Sequence, residues 1–229
     1  MRARQVGRWS AAIGGLIALV VAGGSGSLGN PAGPGSRWLG RPASAQSPEA
    51  PLRYRVVAER SEARYRVREQ LVGVNFPNDA VGTTSAIDGH IALDPQGRLL
   101  PGDSRFAVDL RQLRSDEARR DNYIRRNTLE TERYPTVVFV PTEFRGIGSP
   151  LPQTGPASFE VVGDLTVREA TRRITWEATA TFSGSDVSVR VRTAFRFGDF
   201  GLRIPRVSVV LSVEDGIRLE ADLLLRRVS

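Results

Sequence analysis

Between Ile174 and Phe197 the chain alternates. Ile174, Trp176, Ala178, Ala180 and Phe182 are separated by Thr175, Glu177, Thr179 and Thr181. After Ser183–Asp186, which reads SGSD, the positions Val187, Val189, Val191, Thr193, Phe195 and Phe197 are separated by Ser188, Arg190, Arg192, Ala194 and Arg196. A period of two places successive side chains on opposite faces of an extended strand, one greasy and one wet. The short polar segment with its glycine predicts a hairpin between the two runs. Such a sheet cannot leave its apolar face in water, so it must stack or close on itself.

The same alternation recurs along the chain. It is carried by Ala63, Tyr65 and Val67; by Ile87, Gly89, Ile91 and Leu93; and by Phe106, Val108 and Leu110. Phe159 and Val161, then Leu165 and Val167, flank Gly163-Asp164, where a bulge and a change of phase are expected. Val209, Leu211 and Val213 lie on one side of Glu214–Gly216 (EDG), and Ile217, Leu219, Ala221, Leu223 and Leu225 on the other, which reads as a second hairpin turn. About eight strands joined by short turns, without crossover helices, make an all-β antiparallel sheet. Several inward positions are small (Gly89, Ala178, Ala180, Ala221). They either leave a cavity or fit the taper of a filled barrel, and the pattern alone leaves both open.

One segment breaks the period. From Ser115 to Thr131 the chain is dense in arginine and carboxylate, and an uncharged run, Val137–Val140, follows. Ser115 and Asp116 suit a helix N-cap and early acids suit the helix dipole, so a short helix is expected over Asp116–Arg126. Its few apolar residues, Tyr123 and Ile124 with Leu129 beyond, would pack down onto the end of the sheet. Tyr134-Pro135 then forces an extended approach to the next strand.

The formal charge of +7 suggests a polyanion partner until it is located. All 32 basic residues are arginine, and five of them (Arg2, Arg4, Arg8, Arg37, Arg41) fall in residues 1–45, which hold no acid. The remainder carries 27 arginines against 25 acids, too even a balance for a nucleic-acid face. Residues 1–45 instead read as an export signal and leader: a basic start, an apolar run from Ala11 to Ala22 short of the roughly 20 residues a span needs, and a small-x-small site at Ala43–Ala45. Cleavage at Ala45 or nearer Gly24, or retention as an anchor, all stay open. A flexible linker is expected over 46–52 and the folded domain over 53–229, outside the cytoplasm in periplasm, envelope or medium.

The chain has no cysteine and one histidine, His90, on the polar phase of its strand. That leaves too few soft donors for a transition-metal site, and no Gly-x-Ser-x-Gly elbow occurs. No catalytic residue is assigned.

Three segments occur in order: RRDNYIRRNTLETERYPTVVF, VVGDLTVREATRRITWEATATF and FRFGDFGLRIP. With them the chain, from about Arg53 to Arg227, resembles the YceI-like family of exported proteins. It departs from the family pattern at Tyr123, at Leu129-Glu130 and at Glu169. The resemblance implies an up-and-down, lipocalin-like barrel enclosing a long apolar ligand, a polyisoprenoid or isoprenoid quinone, with no other cofactor and with membrane contact for loading. It marks Phe106, Tyr123, Leu129, Phe139, Trp176, Phe195 and Phe197 as candidates to line the ligand, against the alternative that they are ordinary core residues. Arg120 and Asp121 would orient a head group or tie the helix to the rim as an ion pair. Asp164 and Thr166 would fix a turn or bulge, and Asp199-Phe200-Gly201 a tight turn with Phe200 plugging one end. The competing expectation is a non-catalytic structural or interaction protein with a filled barrel.

Overall fold

A computed structural model describes residues 50–228. The leader expected over 1–45 and the start of the 46–52 linker lie outside the described residues. The alternating runs form β1 (Leu52–Val56), β2 (Glu62–Leu71), β3 (Asn78–Thr84), β4 (Ile87–Leu93), β5 (Arg105–Asp109) and β6 (Arg114–Ser115). They continue as β7 (Thr136–Arg145), β8 (Thr154–Val167), β9 (Ala170–Ser183), β10 (Asp186–Phe195) and β11 (Val210–Val228). The ladder runs β1-β4-β5-β7-β8-β9-β10-β11, and β11 pairs back onto β1, closing eight antiparallel strands into a barrel.

The remaining segments extend this ring. β2 continues β1 along the same edge of β11, β3 pairs with β2, and β6 pairs with β3. Three strands of the barrel are therefore each broken once and bent. At the break between β1 and β2, the Ser61 hydroxyl donates to the Val57 carbonyl at 2.8 Å and accepts the Leu224 N–H at 3.0 Å. A side chain thus satisfies the buried backbone donor that the missing strand residue would have met.

The hairpin expected at Ser183–Asp186 forms, with Gly184 at φ 62°. The hairpin expected at Glu214–Gly216 does not. β11 runs straight through it, because the runs on both sides pair with the same strand: Val213 with Glu69 and Ile217 with Val67. The EDG segment is a bulge, and Asp215 uses it to accept the Phe197 N–H at 3.0 Å. The change of phase expected at Gly163-Asp164 is also absent. Phe159, Val161, Gly163, Leu165 and Val167 share one parity, and β8 is continuous. The extra residue lies across the ladder in β7, where Pro141 pairs with Gly163 and Glu143 with Val162. Thr142 is left over and its hydroxyl donates to the Val162 carbonyl at 3.1 Å.

The helix, α1 (Ala118–Tyr123), continues as a π turn over Ile124–Thr128. Its N-cap is Glu117, which accepts the Arg119 N–H at 2.9 Å, rather than Ser115 or Asp116. Ser115 is committed to pairing with Gly82, so the chain reaches helical geometry later.

Outside the barrel, arginine–carboxylate pairs bridge neighbouring strands. Asp222 takes Arg64 at 2.8 Å and Arg190 at 2.6 Å. Burial opposes ionisation of Asp222, but hydrogen bonds and charge from Arg190 and Arg64 outweigh it and hold the carboxyl below its usual range. Hydrogen bonds from Arg111 do the same for Asp109 against a cost of burial.

Two outcomes follow. A depressed carboxylate adds stability above about pH 4, its unfolded value, and loses that contribution as pH falls through the lower folded value. Urea midpoints should therefore hold from neutrality to about pH 5 and drop below about pH 4, and Asp222→Asn should flatten that acid limb. At Gly163 an added Cβ would lie 2.4 Å from the Val140 carbonyl oxygen and 2.7 Å from the Phe139 ring. Since the first of these is backbone, Gly163→Ala should cost about 1–3 kcal/mol in denaturant unfolding.

Candidate functional site

The inward side chains do not fill the barrel. At the end covered by α1, Val67, Leu165, Val167, Phe197, Phe200, Leu202 and Ile217 pack together, with Leu129, Phe139 and Phe195 against them. Towards the opposite end, Ile91, Leu93, Ala180, Phe182, Val187 and Leu225 form a second cluster. Along the middle of the wall, Val189, Val191, Leu219, Ala221 and Leu223 all take the inward phase yet are only half-buried. The space they face is a cavity of about 1220 Å³. That exceeds the roughly 1,000 Å³ upper end of ordinary small-molecule sites.

Its wall is apolar with few polar points. Phe139 meets Trp176 edge-on at 5.7 Å, and Phe144 meets Phe159 edge-on at 5.5 Å. Phe144 is inward because the Thr142 bulge changes the phase of β7 after Pro141. Three polar atoms on lining residues, Tyr65 OH, Asn78 Oδ1 and Trp176 Nε1, are buried without a partner among the described residues. Leaving such an atom unpaired costs about 1–3 kcal/mol. Burial also pushes the Tyr65 phenol well above its usual range, with Arg120 pulling the other way, so it is a neutral donor.

A charged knot sits where α1 crosses the barrel end. Arg120 donates to Glu69 at 2.8 Å and also pairs with Asp116. Burial disfavours the guanidinium, yet hydrogen bonds and charge from Asp116 and Glu69 prevail and raise its pKa. Asp121 is buried and does not pair with Arg120. Its carboxylate accepts the Ser115 N–H at 3.0 Å and the Ser115 hydroxyl at 2.7 Å. Arg120 thus ties the helix to β2 through Glu69 and also reaches the Ser115 hydroxyl of β6 at 3.3 Å, while Asp121 ties it to β6 alone.

All seven candidates for the ligand wall, Phe106, Tyr123, Leu129, Phe139, Trp176, Phe195 and Phe197, border the cavity. Arg120 borders it at the helix end; Asp121, Asp164, Thr166 and Asp199 do not. Asp164 lies mid-strand opposite Arg173 and fixes no turn. Thr166 bonds Thr171 across the β8–β9 hairpin at 2.8 Å. Asp199 accepts the Arg196 N–H at 2.7 Å and starts the 3-10 turn Phe197–Phe200, which ends on Gly201 at φ 64°. Phe200 backs Phe195 at 4.6 Å between centroids, and Phe197 rather than Phe200 faces the cavity. Glu130 and Glu169, both departures from the family pattern, are paired with Arg168 and with Arg133 and Tyr134. They join the helix loop to the β8–β9 hairpin. His90 is half-buried on the outward phase of β4, between Arg55 and Arg105 on the flanking strands.

Glu69 and Asn78 were not among the sequence candidates. The signal for Glu69 is its parity: it continues the inward phase of Ala63, Tyr65 and Val67, where a carboxylate needs a partner. Asn78 sits directly opposite it on β3.

Residues 54–225 match the YceI-like domain. The chain is 30% identical over 133 residues to a UPF0312 protein of Pseudomonas putida, a match covering 54% of this chain and 64% of that protein. A UPF0312 protein of Pseudomonas fluorescens is 29% identical over 133 residues. These matches span less than two thirds of the relatives' length. Among solved structures, a polyisoprenoid binding domain from Saccharophagus degradans superposes with TM-score 0.58 at 11% identity, covering 76% of this chain and 98% of that one. BcnA of Burkholderia cenocepacia gives 0.55 at 14% identity, covering 74% and 98%. The YCEI protein of Campylobacter jejuni gives 0.54 at 15%, covering 70% and 91%. At these identities the likeness is one of fold.

The knot under α1 has a measurable weight. The Arg120 and Glu69 side chains are 16% and 8% exposed. Arg120→Leu strands a buried carboxylate and should cost about 3–5 kcal/mol in urea unfolding. Arg120→Leu with Glu69→Leu should recover most of that loss, because no charge is then left unpaired.

Proposed function

The chain belongs to the YceI-like domain family, and we propose that it is an exported, non-catalytic binding protein holding a long apolar ligand inside the barrel. The ligand is of the polyisoprenoid or isoprenoid-quinone type, carried or stored in the cell envelope. The observation that carries this reading is the cavity of about 1220 Å³ with an aromatic and aliphatic wall. Shape supports a chain-like guest. β8 has 14 residues; at about 3.3 Å each, tilted by about 40°, it makes a barrel roughly 35 Å tall. The cavity is bordered from Arg120 and Tyr123 at the helix end to Leu151 and Gly184 at the other, and a long apolar space suits an extended hydrocarbon better than a compact polar metabolite. The fold is shared with a domain described as polyisoprenoid binding, and the basic, then apolar, start of the sequence supports export. The cavity weighs against a purely structural role with a filled barrel.

The polar points suggest which end of the ligand is recognised. Arg120 is already matched by Glu69 and Asp116, and Asp121 adds a further negative charge at that end. A diphosphate would therefore find the Arg120 guanidinium already taken. A neutral hydroxyl would instead find both the unpartnered Tyr65 OH and Asn78 Oδ1, and a quinone carbonyl would find the Tyr65 OH as donor.

Lipid extraction and native mass spectrometry of protein from its source cells should recover a stoichiometric neutral isoprenoid. Val191→Trp places a large ring in the lumen and should lower ligand affinity by about tenfold or more, equivalent to about 1.4 kcal/mol of lost apolar contact, with the far-UV spectrum unchanged. Protein that is repeatedly recovered without lipid, and that binds no added isoprenoid, would end the proposal.

A further inference from the structure

Among the described residues, every large apolar side chain classed as exposed lies in one of two neighbouring segments. They are Val72, Val74 and Phe76 after β2, and Ile204, Val209 and Leu211 around the start of β11; Phe76 is 77% and Leu211 66% exposed. The segments touch: the Val72 N–H donates to the Val209 carbonyl at 3.0 Å, and Leu71 pairs with Val210. Val72, Val74 and Val209 also border the cavity, as do Pro205 and Val207. The patch is therefore the outer side of the cavity's own lip, continuous from solvent to lumen. Exposed apolar patches of this kind mark interaction surfaces.

Charge indicates the partner. Beyond the bulge, Arg218 is held by Asp79 at 2.6 Å. Arg203 and Arg206, which bracket Ile204 and Pro205, are exposed and have no carboxylate within ion-pair reach among the described residues. Arginines without a carboxylate partner occur elsewhere among the described residues too, Arg105 and Arg172 among them; what sets Arg203 and Arg206 apart is that they stand beside the apolar lip. We propose that this lip docks on an anionic lipid surface, with Phe76, Val209 and Leu211 entering the interface and Arg203 and Arg206 meeting lipid phosphates. The surface is the leaflet from which the cavity takes, or to which it returns, its ligand. The docking rests on the carrier reading for its purpose but not for its test. An apolar edge flanked by unpaired cations matches the layered chemistry of a membrane interface. A second copy of the chain would bring two further arginines against the first pair.

The absence of cysteine gives a clean probe. Asn75→Cys, between Val74 and Phe76, and Arg190→Cys, on the outward phase of β10, are each labelled with an environment-sensitive fluorophore in the exported protein. With phosphatidylcholine–phosphatidylglycerol vesicles the label at 75 should shift to the blue and brighten, while that at 190 should not move. Pure phosphatidylcholine should give a weaker response. Arg203→Ala with Arg206→Ala should weaken partitioning by about thirtyfold at low salt, the loss expected for two arginines at an anionic surface, and leave the lipid content of the purified protein unchanged. A label at 75 that stays in water on vesicles would overturn the docking. So would one that is shielded without vesicles in a concentration-dependent dimer. Lipid-free protein whose label still enters vesicles would count against the carrier reading alone.

Discussion

Everything in this barrel depends on the closure made by β11. Its 19 residues pair with β10 along one edge and with both β1 and β2 along the other. An unpaired edge would leave a row of backbone donors and acceptors for another chain to use, and closure removes it. One strand can meet two segments only if the ladder tolerates interruptions. Two occur: the bulge at Glu214–Gly216 within the β2 stretch, and the gap between β1 and β2 that the Ser61 hydroxyl fills. The first of these also caps the turn that carries Phe197, so closing the sheet and shaping one end of the cavity are a single arrangement.

Closure produces an inside, but it does not fill it. Buried clusters at the two ends supply packing, while the middle of the wall is left half-buried. Unfilled apolar volume and orphaned polar atoms both cost stability. A fold that keeps them concentrates its own packing at the ends and leaves the centre open. The polar residues follow the same division. Arg120, Asp121 and Ser115 fasten the helix to two strands at one end, and arginine–carboxylate pairs outside the barrel bridge neighbouring strands in water.

Most of the strands were legible in the sequence because a period of two is a local property. Val187, Val189 and Val191 face inward for the same reason that Arg190 and Arg192 face outward. That Phe106, Phe139, Trp176, Phe195 and Phe197 face the cavity was legible from strand parity, whereas Tyr123 and Leu129 border it from the helix and its loop. Turn chemistry was less reliable: an EDG segment makes a tight hairpin or a bulge according to whether the flanking runs meet each other or the same third strand. The bulge assigned near Gly163 lay instead on the neighbouring strand at Thr142, where nothing in the local pattern of VVFVPTEF marks it.

The sequence by itself determined an all-β antiparallel chain, its wet and greasy faces, a short charged helix before Tyr134-Pro135, and a surplus of positive charge confined to the first 45 residues, with the remainder evenly charged. Only the tertiary structure decided that the greasy faces enclose a cavity rather than a filled core, because that depends on how far apart closure holds opposite walls. It also decided the partners. Arg120 lies one residue from Asp121 but takes Glu69 as its carboxylate, and the Asp121 carboxylate turns to Ser115, because adjacent residues on a helix diverge. The exposed lip is likewise a tertiary fact: Val72 and Val209 are far apart in sequence and meet only because β11 closes along β2.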